Sequence, residues 1–136
     1  MDQQGTACDE VYVYSMNRPG FMLQHVLDAC AAQTADDSRK PISVMFGLIG
    51  LYLYIEKGYS GRRVQAIHRE LARKKREWPR VPLPEARGSV TATDVLAVPA
   101  GPQRDLAIHD WCSSVWTAFA GNQPIIIALL QEHQLV

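Results

Sequence analysis

PISVMFGLIGLYLYIEKG, residues 41–58, is the stretch on which the fold turns. Across 42–55 only Ser43, Gly47 and Gly50 interrupt an apolar run. A helix needs about 18 or more such residues to cross a bilayer, so the run is too short for a membrane span. A helix that is apolar nearly all round belongs at the centre of a bundle, sheathed by others. Pro41, with its fixed φ and missing N–H, suits the first turn, and Gly47 and Gly50 let neighbouring backbones approach closely.

On either side of this rod the apolar residues recur at helical spacing. Met22, Val26, Ala29 and Cys30 form a stripe over 21–33, with Gln24, His25, Asp28 and Gln33 off it. Ser60 is placed to cap a third helix striped by Val64, Ile67, His68 and Leu71. Pro79, Pro82, Pro84 and Gly88 exclude helix across 77–90 and predict a loop wrapped over the surface, held by Trp78. Thr91 with Asp94 has capping-box spacing, and Pro102 opens a long helix striped by Ile108, Trp111, Cys112, Val115, Trp116 and Phe119. Residues 125–130 give a last short apolar helix, and 1–18 form a weakly specified arm in which Tyr12, Val13 and Tyr14 could be briefly extended. The expected fold is all-α: a single domain, built as a compact bundle of about four principal helices with short extra ones.

Composition narrows the function classes. The 136 residues carry 14 basic and 14 acidic side chains, so the chain is no polyelectrolyte for coating nucleic acid or an anionic membrane. Cys8, Cys30 and Cys112 are widely spaced, with no CxxC pair and an odd count, which favours a reducing compartment. The first ten residues lack the basic and apolar segments of a secretory signal, and a cytoplasmic protein is expected.

His25 and Asp28, three apart on one helix, share a face on which a carboxylate can orient an imidazole. His68 completes a site with them if the first and third helices pack face to face, giving His25, Asp28 and His68 as candidate catalytic residues. Gln24, Gln33 and Tyr54 are the candidates to line a substrate pocket. Two histidines and an aspartate can hold a catalytic metal, but no HExxH motif accompanies them, and neither metal nor cofactor is expected. Cys30 and Cys112 read as core thiols.

Three functions compete. The first is a small-molecule enzyme or binding protein with an inter-helix pocket near His25 and Asp28. The second is a non-catalytic module, a homodimer joined through 125–130 or exposed aromatics. The third is binding of an anionic partner through 62–76, where seven basic residues face only Glu70. That charge run lacks any nucleic-acid-binding motif, so a solvated face is favoured over nucleic acid.

The segments Gln24-His25-Val26-Leu27-Asp28-Ala29, Ala31-Ala32-Gln33, Lys40-Pro41-Ile42 and Gly50-Leu51-Tyr52-Leu53 resemble an uncharacterised bacterial family, the domain of unknown function 5946. The likeness continues through Gly61-Arg62, Val64-Gln65, His68, Leu71-Ala72, Trp78-Pro79, Leu83-Pro84, Thr91, Asp94-Val95, Trp111-Cys112 and Ser114-Val115-Trp116, so it spans 21–116. The resemblance implies a helical domain and brings no established activity. Relatives are richer in histidine, and this sequence has Leu23, Tyr54 and the Gly121-Asn122 pair where histidine is expected in many of them. His25, Asp28 and His68 are the matching polar residues.

Overall fold

The structure is a computed structural model that describes residues 3–74 and 77–135. In chain order it contains α1 (Gln3–Ser15), a 3-10 turn (Pro19–Phe21), α2 (Met22–Gln33), α3 (Pro41–Ile55) and α4 (Gly61–Lys74). These are followed by α5 (Ala92–Leu96), α6 (Pro102–Ala118), a second 3-10 turn (Ala120–Asn122) and α7 (Gln123–Glu132). No strand occurs among the described residues, and the fold is all-α. No helix is long and apolar enough to cross a membrane.

The apolar rod α3 lies at the centre, packed on by α2, α4, α6 and α7. Leu48, Ile49, Leu51 and Leu53 are completely buried, each burial contributing about 2 kcal/mol against the unfolded chain. The α2–α3 contact is the most extensive, and glycines on α3 face α2. A Cβ at Gly47 would lie 2.8 Å from the Asp28 carbonyl oxygen, and one at Gly50 would collide with the Asp28 carboxyl group. The rod ends where Gly58 takes φ +68°, a left-handed turn that glycine makes without penalty.

Helix starts follow the sequence signals. Pro41 and Pro102 stand in first turns, Ser60 Oγ accepts the Arg63 N–H at 3.3 Å, and Thr91 with Asp94 forms a complete capping box. The 77–90 loop has no helix and is tied down by polar contacts. Arg87 donates to the carbonyls of Pro84, Gln33 and Ala35, Asn122 Nδ2 donates to Pro82 O at 2.8 Å, and Trp78 packs edge-on against Phe46.

The N-terminal arm differs from expectation. Tyr12, Val13 and Tyr14 are helical, so the suggested extended segment is corrected and α1 joins the bundle as a further long helix. Tertiary docking explains this where local pattern does not, since α1 has almost no amphipathic stripe. Val11 is fully buried, the Tyr14 hydroxyl lies 2.6 Å from Asp105 Oδ1, and Arg18 makes a bidentate pair with the same carboxylate. A covalent link completes the docking: Cys8 of α1 is disulfide-bonded to Cys30 of α2, with Cα atoms 6.2 Å apart. Cys30 is therefore not the free core thiol that was expected, and Cys112 is the one left unpaired, fully buried. With two of three cysteines bonded, the odd count no longer argues for a reducing compartment.

α7 sends Ile126, Leu129 and Leu130 into the core and leaves Ile125 exposed. On α4, Arg62 lies over the Phe21 ring, Arg63 over Tyr59, and Arg73 and Lys74 pair with Glu70. Lys75 and Arg76, also counted in the basic run, lie outside the described residues.

Candidate functional site

One face of α2 carries Gln24, Leu27, Asp28 and Ala31 at three- and four-residue steps, the spacing that aligns side chains along a helix. With α1, α3 and α4 this face lines an open cavity of about 460 Å³. Its walls include Cys8 and Asp9 from α1, Gln24, Asp28 and Cys30 from α2, Ser43, Phe46 and Gly47 from α3, and His68 from α4. Arg39, on the α2–α3 connection, adds a cation.

Gln24, Asp28 and His68 form a buried polar row. Gln24 Nε2 donates to Asp28 Oδ1 at 3.1 Å and lies 3.5 Å from His68 Nδ1. Asp28 Oδ2 and His68 Nε2 have no hydrogen-bond partner although both are buried. Such atoms are uncommon in cores, because an unpaired buried polar group costs about 1 to 3 kcal/mol. Burial pushes the Asp28 carboxyl well above the usual carboxylate range, with the Gln24 hydrogen bond opposing it. The same desolvation pulls His68 down to about 4. Burial thus favours the neutral form of both groups, and the imidazole is stacked on Phe46 with centroids 4.6 Å apart.

With Oδ1 accepting from Gln24, the Asp28 proton belongs on Oδ2. A Gln24 N–H directed at His68 Nδ1 would leave the imidazole proton on Nε2. Both atoms are then donors, with the Phe46 backbone carbonyl as a neighbouring acceptor for the imidazole.

The other sequence candidates lie apart from this cavity's walls. His25, one residue from Gln24, points off the row and stacks on Tyr54 with centroids 3.6 Å apart and planes within 8°. Tyr54 in turn meets His109 edge-on. Burial, with the nearby His109 adding to it, lowers His25 to about 4, and its Nδ1 is unpartnered. Burial also raises the Tyr54 hydroxyl above its ordinary range. Gln33, nine residues along α2, holds the loop: its Nε2 donates to Arg87 O and Val90 O, and its Oε1 accepts from Trp111 Nε1 at 2.8 Å. The candidates thus divide into Gln24, Asp28 and His68 around the cavity, His25 with Tyr54 in a ring stack, and Gln33 at the loop anchor.

Among the described residues no three His, Cys, Asp or Glu side chains are grouped to hold a metal ion. The sequence reading missed Cys8, Cys30 and Arg39 as cavity residues. Their signal was absent because it required knowing that the first ten residues are helical and lie across α2.

No curated protein and no solved structure matches the chain. The model of a family of unknown function, DUF5946, matches residues 5–120. That match takes in α1 through α6 and every wall of the cavity, and the chain belongs to the DUF5946 family of unknown function.

Proposed function

We propose that the chain binds a small molecule bearing a carbonyl or carboxylate group in the cavity between α1, α2, α3 and α4. The observation that carries this reading is the pair of buried, unpartnered atoms, Asp28 Oδ2 and His68 Nε2, on residues that face one cavity. A ligand oxygen accepting from both, with the Asp28 carboxyl turned from Gly50 toward the cavity, would remove two desolvation penalties at once, which is how few polar groups in a pocket fix orientation. The cavity volume lies within the usual span for small-ligand sites, about 300 to 1,000 Å³. Arg39 adds a charge complementary to a carboxylate.

In this reading Gln24 orients the Asp28 carboxyl, Asp28 and His68 contact the ligand, and either can move a proton to it. His25 and Tyr54 stack beside the row, outside the cavity walls, and Gln33 fixes the C-terminal end of α2.

The test titrates the protein with short-chain monocarboxylates, 2-oxo acids and primary amides, following the His68 imidazole resonances by NMR. Saturable shifts at His68, absent in Asp28→Ala and unchanged in His109→Gln, are expected. If none of these probes perturbs His68 at millimolar concentration, the reading fails.

A further inference from the structure

The polar row occupies one part of the cavity wall, and the Cys8–Cys30 disulfide occupies another. A disulfide that serves only to staple helices has no need of a cavity beside it. This one joins two helices at the wall of a chamber that also holds a buried acid and an imidazole. The two residues differ in access: Cys30 is half-buried, whereas Cys8 is buried.

We propose that Cys8–Cys30 is a redox-active pair that exchanges with a low-molecular-weight thiol entering this cavity. The proposal rests on the cavity being a ligand site and assigns it a substrate class. The entering thiolate attacks Sγ of Cys30, the more accessible residue, forming a mixed disulfide as the Cys30–Cys8 bond breaks. Cys8 leaves as a thiolate and takes a proton from the Asp28 carboxyl, which is restored by the proton that the entering thiol gave up. A second thiolate then attacks the substrate sulfur of the mixed disulfide, releasing the small disulfide and leaving Cys30 reduced. Two thiols are oxidised, one protein disulfide is reduced, and the reverse sequence restores it.

The protonatable and charged groups facing the pair are Asp9 from α1, Asp28 from α2, His68 from α4 and Arg39 from the α2–α3 connection, while α3 contributes only the neutral Ser43, Phe46 and Gly47. Of the acids, Asp9 is exposed and Asp28 is buried, and burial favours the protonated form of Asp28. Cys112 is an internal control, being fully buried with burial raising its thiol pKa.

The experiment equilibrates native full-length protein with glutathione and glutathione disulfide at graded ratios, alkylates it, and reads each cysteine by mass spectrometry. Cys8 and Cys30 are expected to pass together between disulfide and dithiol while Cys112 stays unlabelled and helicity is retained. Cys8→Ser, which lacks the resolving thiol, should accumulate a glutathione adduct at Cys30 and none at Cys112. Asp28→Asn should slow exchange by about tenfold and alter its pH profile. Wild-type exchange rate at every pH removes Asp28 from the proposal.

The proposal is overturned if Cys8 and Cys30 become reducible only in step with Cys112 labelling, which would mark reduction through global unfolding. That wild-type comparison decides the matter even if Cys8→Ser does not fold. Carboxylate binding retained by a protein whose disulfide is inert would sink this inference and leave the ligand reading standing. Absence of both would sink the two together.

Discussion

Gln24 and Gln33 lie on the same helix, each 7% exposed, and their surroundings are opposite. Gln33 spends both ends of its amide: two loop carbonyls accept from Nε2, and Trp111 donates to Oε1. Gln24 reaches one carboxyl oxygen at 3.1 Å and an imidazole at the 3.5 Å limit, beside two atoms that reach nothing. A saturated buried polar group fixes one arrangement of the chain. An unsaturated row facing a cavity gives up stability for the capacity to meet something else. One helix thus carries a structural end and a receptive end, two turns apart.

Acid should separate the two ends most strongly. His25 and His68 fall to about 4 in the fold from an ordinary 6.5, so between those pH values the unfolded chain binds protons that the folded one refuses. Stability from this source is complete above pH 6.5 and drains away toward pH 4, by roughly 3 kcal/mol per histidine. Asp28 works in the opposite direction. Its raised pKa means the fold keeps a proton that the unfolded chain loses above the ordinary carboxylate range, and that contribution disappears as pH rises. Urea unfolding at steps between pH 7 and pH 4 should show a net loss on acidification, reduced in His68→Gln and steepened in Asp28→Asn. A stability that stays flat across this window would break the contrast.

Gln33→Ala should come next, at about 3 kcal/mol, since it orphans a buried indole N–H and two loop carbonyls together. Gln24→Ala, made in parallel, should cost no more than about 1 kcal/mol, because little is satisfied there to lose. Denaturant midpoints of the two variants compare the ends of α2 directly. Equal losses would mean that the cavity row is as structural as the loop anchor.

The bundle was legible because its signals are local. The rod at 41–55 announces burial by being apolar all round, Pro41 and Pro102 mark helix starts, and Thr91 with Asp94 carries its own cap. α1 was not legible, since residues 3–15 show no stripe and owe their helix to docking through Val11, Cys8 and the Tyr14–Arg18–Asp105 cluster. The candidate site was half legible for the same reason. Helical spacing puts Gln24 and Asp28 on one face, but His25 sits between them in sequence and about 100° around the helix from Gln24. Whether it faces the cavity or a ring of α3 depends on the rotation of α2 about its axis. The close approach at Gly47 and Gly50 sets that rotation, turning Asp28 onto α3 and His25 onto Tyr54.

Asp28→Asn gives the sharpest comparison, because its two effects have opposite signs. Asparagine can keep the oxygen that accepts from Gln24, and it removes the cost of holding a carboxyl neutral where the unfolded chain would ionise it. At pH 8 the variant should be more stable than the wild type by about 1 to 2 kcal/mol, the gain usual when a group kept for function is replaced. Near pH 4 the two proteins should converge, since the unfolded wild-type chain is then partly protonated as well. The substituted amide still donates hydrogen bonds but cannot give up a proton, so a gain in stability should accompany the roughly tenfold slowing of exchange at Cys8–Cys30. If the variant is instead destabilised at pH 8, the Asp28 proton is part of the packing against Gly50, and the receptive end of α2 is as structural as the other.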